Sequence, residues 1–232
     1  MNISDFRSHC LNSKELYFGA AYLLFDAIFL APILQALNLL LPTPLPQSMV
    51  NFLFFSINFG AVLLIFRKYL SAQLKLLPDV MGKVLGVAAV GLFAYWAMNF
   101  VLVQVLLEID PGFFSINDVT VQSLVAEDYS LMFIGTVILV PIAEESLFRG
   151  LLFRGLHDRS PFLAWLLSIL LFAGVHVMNY LGAYPASTIF LCFLQYIPAG
   201  VCLAGAYRVS GSIFCPILIH ATVNFLGVMA LR

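Results

Sequence analysis

The sequence predicts an all-α, polytopic transmembrane helical bundle with about seven spans, on three observations. Of the 232 residues, 62% are hydrophobic and only 10% are charged, whereas a soluble domain carries about 25% charged residues. Seven apolar stretches follow one another, each close to the roughly 20 residues with which a helix crosses the hydrocarbon core. No alternating barrel pattern appears, and open strands leave backbone groups unsatisfied in lipid.

The seven stretches define the predicted organisation of the chain. The first is too long for a signal peptide and ends without a small-x-small cleavage site, so we expect it to be retained. An acidic loop at 108–130, opened by the turn signal Asp110-Pro111-Gly112, divides three N-terminal spans (1–130) from a four-helix core (131–232). The predicted spans are 16–41, 49–66, 84–107, 131–148, 161–178, 186–207 and 212–231.

The distribution of charge predicts the orientation in the membrane. Only one of the eleven Lys and Arg residues, Arg232, falls on the side of the acidic loop. By the positive-inside rule, the N-terminus and the basic end of the bundle are cytoplasmic, and the acidic loop is extracytoplasmic. The basic residues on the predicted cytoplasmic side are Arg7, Lys14, Arg67, Lys68, Lys75, Lys83, Arg149, Arg154, Arg159 and Arg208.

The remaining composition narrows the classes of partner. A net charge of −1 offers no basic surface for nucleic acid, so membrane lipid is the expected surrounding. The four cysteines show no C-x-x-C spacing, and those within apolar stretches are expected to be buried hydrophobes. The cysteines are Cys10, Cys192, Cys202 and Cys215. The sequence carries no signal for the oligomeric state.

Ionisable and amide side chains are concentrated in the last four spans. A centrally placed Asp, Lys or Arg costs at least about 2.5 kcal/mol at bilayer depth, so intramembrane charges are functional suspects by default. A lone intramembrane His or Asn often serves only as a hydrogen bond between helices. The group as a whole nevertheless predicts an active site built between helices. Its members are Glu144, Glu145, Arg149, His176, His220 and Asn224.

Helical spacing separates the roles of the two glutamates. Glu145 and Arg149 are i,i+4 with the acid first, which predicts an ion pair that supports the site. Glu144 is rotated by about 100° on the helix and therefore faces another neighbour. Counting along the predicted spans places Glu144, His176 and His220 in the cytoplasmic half, which predicts a cavity open to the cytoplasm.

Prolines and small residues predict how the helices meet. Gly200 and Ala204 form a small-xxx-small pair, which predicts a close approach of the sixth span to a neighbouring helix. Pro141 lies three residues before Glu144, and Pro216 lies four before His220. Proline bends a helix and frees a carbonyl, and these bends serve either the site or the packing alone.

Three motifs occur in order on successive apolar segments. They are E-E-x-x-x-R at 144–149, F-x-x-x-H at 172–176 and H-x-x-x-N at 220–224. Together they resemble the motifs of the CPBP family of intramembrane proteases, which includes the type II CAAX prenyl endopeptidases and the ABI proteins. The resemblance covers about residues 131–232.

This resemblance implies an intramembrane endopeptidase. Glu144 is then the catalytic carboxylate, which polarises a water together with His176. His220 and Asn224 bind the water, a metal or the developing oxyanion. Phe172, the first residue of the second motif, supports the site with the Glu145–Arg149 pair.

Two mechanisms fit these residues. In one, His176 and His220 ligate one divalent metal, preferably zinc, whose bound water attacks while Glu144 takes the proton. In the other, Glu144 and His176 activate a water without a metal. Zinc normally takes three protein ligands and a water, so the two His need a further ligand. The resemblance favours the metalloprotease, and the residues leave both mechanisms open.

Two other functions stay open on the residues alone. One is an ion or proton-coupled transporter, since intramembrane Glu and His mark ion paths, although the internal repeats of many transporters are not found. The other is a bacteriocin-immunity membrane protein that keeps the motifs without catalysis. For a protease, the expected substrate is a membrane-anchored or prenylated protein or peptide. The expected location is a bacterial inner membrane, with the active site towards the cytoplasm.

Overall fold

A computed structural model of the chain describes residues 11–231. Arg7, Cys10 and Arg232, which enter the sequence-based predictions, lie outside these residues. The described part is helical, and its one β-type pairing is an isolated bridge between Leu181 and Tyr184. Its helices, apart from a 3-10 turn at Met178–Tyr180, are α1 (Ser13–Leu39), α2 (Gln47–Ile65), α3 (Arg67–Ile109), α4 (Ile116–Glu127), α5 (Tyr129–His157), α6 (Pro161–Val175), α7 (Ala186–Ser210) and α8 (Phe214–Ala230).

Five of these helices are long and apolar enough to cross a membrane, namely α1, α2, α3, α5 and α7. Helices α6 and α8 are apolar but shorter, with 15 and 17 residues, and they coincide with the fifth and seventh predicted spans. The chain is therefore an integral membrane protein with an all-helical fold. The count of seven spans and the cytoplasmic N-terminus stay predictions.

One buried carboxylate accepts hydrogen bonds at the beginnings of both α1 and α3. The Asn12 side chain accepts hydrogen bonds from the first turn of α1, and the Glu15 side chain in turn accepts from the Asn12 N–H at 3.0 Å. The same Glu15 accepts from the backbone N–H groups of Lys68 and Tyr69, at 3.1 and 2.9 Å. A carboxylate is favourable at a helix N-terminus, so Glu15 stabilises the start of both helices.

The start of α3 differs from the prediction. We expected a span at 84–107 after a basic connection, but one helix runs over Arg67–Ile109 and follows α2 after the single residue Phe66. Residues 67–83 are rich in helix-forming Lys, Leu and Gln, and Glu15 caps their beginning. Pro78 lies inside the helix, where it removes one N–H donor without ending the helix. Hydropathy marks the apolar part of a helix rather than its end, which explains the missed boundary.

The acidic segment is folded rather than a plain loop. Its predicted turn is present, because the Gly112 N–H donates to the Asp110 carboxylate at 2.9 Å. Helix α4 then begins after Ser115, whose hydroxyl accepts from the Asp118 N–H at 3.3 Å. The Asp128 carboxylate accepts from the Leu131 N–H at 3.0 Å and caps α5. Helix α4 packs against α2 and α5, so it closes one end of the bundle.

Helices α5 and α7 lie inside the bundle, whereas α1 and α3 lie outside. In their most apolar stretches, 44% of α5 and 50% of α7 is buried, against 11% of α1 and 6% of α3. Helix α5 packs against α1, α2, α6 and α8, and α7 packs against α3, α6 and α8. The main hydrophobic core contains residues from both predicted parts of the chain, before and after residue 130. The division into two parts stays a sequence-based prediction. The large members of the core include Phe66, Tyr69, Phe153, Phe172 and Tyr207.

Helix α5 continues beyond its predicted end at residue 148 and contains two π-helical segments, Gly135–Leu139 and Ser146–Phe153. Arg149 and Arg154, which we expected in a connection, are buried within this helix. The two π segments lie on either side of Glu144 and Glu145. Single π turns are frequent at functional sites because they change which side chains face inward.

Candidate active site

The two adjacent glutamates of α5 have different surroundings. Glu145 and Arg149 are completely buried, and the predicted ion pair is present, with Arg149 Nη1 at 3.0 Å from Glu145 Oε1. The same oxygen lies 2.9 Å from Nδ1 of His220. Glu144 keeps 26% of its side chain exposed and lines a cavity. One glutamate is therefore sealed in the core, and the other is accessible.

Arg149 is held by three kinds of contact. Besides the pair with Glu145, its Nη2 donates to the backbone carbonyl of Gly200 at 3.3 Å. Its guanidinium carbon lies 4.2 Å from the centroid of the Phe172 ring, a cation–π contact. Phe172 also packs edge-on against Phe148, with ring centroids 5.4 Å apart. The contacts of Arg149 therefore join α5, α6 and α7.

Gly200 lets α7 approach α6 closely, as the small-xxx-small pair predicts. A Cβ at this position would lie 3.0 Å from Ile169 Cγ2 and 3.2 Å from the Ile169 Cα. Ala204, the other member of the pair, is fully buried. A side chain at position 200 would therefore require α6 to shift by a few tenths of an ångström.

We expect Gly200→Ala to destabilise the protein by about 1–3 kcal/mol, the usual cost of overpacking a core. The backbone shift would also move the carbonyl that accepts from Arg149. Gly205→Ala is the matched control on the same helix, because its Cβ would meet only Trp165 at an ordinary 3.7 Å. Thermal unfolding of both variants in detergent checks this; equal midpoints for the two would contradict it.

His176 follows the last residue of α6, and its ring orientation is fixed by two contacts. Its Nδ1 lies 2.7 Å from the carbonyl oxygen of Phe172. A carbonyl only accepts hydrogen bonds, so Nδ1 carries the proton and Nε2 of the neutral ring carries a lone pair. The ring stacks on Tyr196, with centroids 4.1 Å apart. Its Nε2 lies 3.9 Å from Oε2 of Glu144.

His220 and Asn224 lie one turn apart on α8 and line the same cavity as Glu144 and His176. The carboxylate of Glu145 accepts from Nδ1 of His220, which leaves Nε2 as its remaining polar atom. The Asn224 amide donates one hydrogen to the backbone carbonyl of Thr136 at 2.9 Å. Its second amide hydrogen is not used in that bond.

The cavity has a volume of about 470 Å³. The sequence missed much of its wall. Thr136 and Val140 lie two turns and one turn before Glu144, so helical spacing could have identified them. The other polar lining residues lie on elements without a motif: Tyr95, Asn99, Asn117, Asp118, Gln195 and Tyr196.

The cavity extends towards the acidic end of the bundle, and the expected opening to the cytoplasm stays a prediction. The lining residues of this region run from Ile219 on α8 to Leu231, just past the end of the helix, and α4 contributes Asn117, Asp118 and Val121. The residues that follow Glu144 towards the basic end are buried. Depth along a helix does not show towards which end a cavity opens, so the sequence could not decide this.

The residues around the cavity do not form a complete zinc site. Among residues 11–231, no three His, Cys, Asp or Glu side chains are grouped so that they could hold a metal ion. Zinc normally takes three protein ligands and a water. His176 and His220 offer two nitrogens that are suited to a metal, and a third protein ligand is not in place. The steps proposed below use no metal.

One family model matches the part of the chain that carries this cavity. The model of the Rce1-like type II CAAX prenyl endopeptidases matches residues 126–226, from the end of α4 into α8. This match supports the resemblance of the segment to the CPBP/CAAX protease family. The matched segment contains all three motifs. Neither a curated protein nor a solved structure shows significant similarity to the chain.

The matched segment carries most of the residues around the candidate site. The helices of the family segment supply Glu144, His176, His220 and Asn224 to one cavity. The helices before this segment complete the wall: α2 contributes Phe55, α3 contributes Tyr95 and Asn99, and α4 contributes Asn117, Asp118 and Val121.

Proposed function

We propose that this protein is an intramembrane endopeptidase in which Glu144 activates a water for attack on a peptide bond. The proposal depends mainly on one observation. Glu144 and His176 face each other across 3.9 Å, in the cavity that His220 and Asn224 also line. Glu145 cannot share this role, because Arg149 and His220 already occupy its Oε1 and its side chain is fully buried.

The 3.9 Å gap suits a bridging water. It exceeds the 2.7–3.2 Å range, roughly, of a direct hydrogen bond, and Glu144 Oε2 has no hydrogen-bond partner among the described side chains. A water between the two residues donates one hydrogen to the Glu144 carboxylate and the other to the Nε2 lone pair of His176. Both hydrogens are then engaged, and the oxygen lone pairs face the substrate.

The hydrolysis follows from this arrangement. The water oxygen bonds to the substrate carbonyl carbon as Glu144 takes one of its protons. The tetrahedral intermediate then breaks at its C–N bond, and Glu144 returns the proton to the leaving amine nitrogen. The products are a carboxylic acid and an amine, and Glu144 is again a carboxylate.

Asn224 is the better candidate to stabilise the oxyanion. Its amide group is neutral, and the second amide hydrogen is available to donate. A donor stabilises an oxyanion more in a site of low dielectric than in water. His220 has its Nδ1 hydrogen engaged by Glu145, so its Nε2 donates only when the ring is an imidazolium. Nε2 of the neutral His220 ring therefore accepts rather than donates, which leaves Asn224 as the donor.

The cavity wall suits a lipid-linked or apolar substrate segment. Beside the polar residues it presents Phe55, Val121, Leu203, Ile219 and Val223. Apolar walls with a few polar groups that orient the substrate are the usual composition of a binding cavity. This composition supports a membrane-anchored or prenylated peptide as the substrate class.

Purified protein incubated in ¹⁸O-water with a panel of membrane peptides, prenylated and unprenylated, tests the proposal. We expect cleavage with one ¹⁸O in the new carboxyl group, detected by mass spectrometry. Parallel reactions contain a strong chelator, with and without added zinc. Chelator resistance supports the metal-free steps above. If the chelator abolished cleavage and added zinc restored it, the metal-dependent mechanism with His176 and His220 as ligands would replace these steps. If no peptide were cleaved, the protease function itself would be contradicted.

A further inference from the structure

The acidic end of the cavity has its own polar group, formed by α4, α7 and the 3-10 turn. Asp118 lies in the first turn of α4, is exposed and lines the cavity. The Gln195 amide nitrogen lies 3.5 Å from its Oδ2. Nearby, the Tyr180 hydroxyl donates to Thr120 Oγ1 at 3.0 Å. Desolvation by burial raises the pKa of Tyr180, so this hydroxyl stays neutral.

The charged side chains of the cavity wall are acidic. Among the described residues that line it, the carboxylates are Glu144 and Asp118, and none is Lys or Arg. Glu145, the neighbouring acid, is compensated by Arg149. The other acids of the segment between α3 and α5 serve the fold: Asp110 closes a turn, Asp128 caps α5, and Glu127 accepts from the Ser48 N–H. Among the described lining residues, neither carboxylate has a cationic partner, and Glu144 is already used in the proposed hydrolysis, which leaves Asp118.

A second acceptor lies beside Asp118. Gln195 Oε1 is buried without a hydrogen-bond partner among the described residues, and it belongs to the same amide that reaches the Asp118 carboxylate. A buried acceptor without a donor is costly. An ammonium carries three donors and a guanidinium five, so either group could satisfy Gln195 and Asp118 together.

We propose that Asp118 determines substrate specificity by binding a Lys or Arg side chain that flanks the scissile bond. This inference rests on the proposed protease function. With Glu144 in the depth of the cavity and Asp118 at its acidic end, a peptide whose bond reaches Glu144 passes Asp118. The carboxylate attracts a basic side chain there and repels an acidic one. The substrate class is accordingly a membrane-associated peptide with a basic residue beside the cleavage position.

The test compares kcat/KM for peptides that differ only in one flanking residue, Lys or Gln, placed at each position from three before to three after the cleaved bond. An exposed ion pair is worth up to about 1 kcal/mol, which corresponds to about a fivefold ratio. We therefore expect wild type to prefer Lys by about fivefold at one position. Asp118→Asn should bring that ratio close to one, because Asn keeps the size and the Gln195 contact but not the charge.

Glu108→Gln is the matched control, since Glu108 is an exposed acid at the same end and does not line the cavity. It should keep the wild-type ratio. A Lys-to-Gln ratio near one at every position in wild type, or an unchanged ratio in Asp118→Asn, overturns the specificity proposal. Absence of cleavage of any peptide by wild type would instead overturn the protease function.

Discussion

Replacing Glu144 with Gln is expected to lower kcat by about 1,000-fold, within the range of roughly 10² to 10⁴ that general acid–base catalysis contributes. Gln has the size of Glu but cannot take a proton from water. The fold should be retained, because Oε2 of Glu144 makes no hydrogen bond to a described side chain that the exchange would remove. Cleavage rates under single-turnover conditions, together with thermal unfolding in detergent, measure both parts of the expectation.

Glu108→Gln makes the same chemical change at an exposed position of α3 and should leave the rate unchanged. If Glu144→Gln retained more than a tenth of the wild-type kcat, Glu144 would not be the base. A different result would favour the transporter: no cleavage by wild type, combined with a Glu144→Gln effect on proton or ion flux in liposomes. A bacteriocin-immunity phenotype that survives Glu144→Gln would favour the non-catalytic function.

Arg149→Met is expected to destabilise the protein by about 3–5 kcal/mol, the cost of leaving one partner of a buried ion pair without its counter-charge. Glu145 would then keep only the bond from His220 in a site with no exposed surface. The double variant Glu145→Gln/Arg149→Met should recover most of this loss, because replacing both partners removes the buried charge. Unfolding midpoints of the two single variants and the double variant form a double-mutant cycle.

Arg159→Met controls for the loss of an arginine as such. Arg159 is exposed after the end of α5, and surface substitutions usually change stability by less than about 0.5 kcal/mol. Additive effects of the Glu145 and Arg149 exchanges would show that the pair is not coupled and would contradict the proposed support. The coupling is therefore measurable even if every variant loses activity.

The sequence predicted the membrane class, most helices and the pairing of Glu145 with Arg149. These succeeded because they depend on local quantities: the length of an apolar run and the i,i+4 spacing on one helix. The motif residues Glu144, His176, His220 and Asn224 do line one cavity, while their catalytic roles stay proposals.

The features that the sequence did not predict depend on contacts between distant segments. The start of α3 at Arg67 involves Glu15 of α1, and the bond from His220 to Glu145 joins α8 to α5. The extension of the cavity towards α4 depends on which side chains pack on either side of Glu144. None of these contacts leaves a periodic pattern, so hydropathy and spacing alone could not reveal them.

The burial of Glu145 with Arg149 has a consequence for how such sequences change over generations. A substitution at only one of these two positions leaves a buried charge without its partner and destabilises the fold. A substitution at both positions removes both charges and avoids this loss of stability. We expect positions 145 and 149 to vary together among related chains, and position 144 to vary independently of them, in step with the loss of catalysis. An alignment in which Arg149 is lost while Glu145 persists would speak against that coupling.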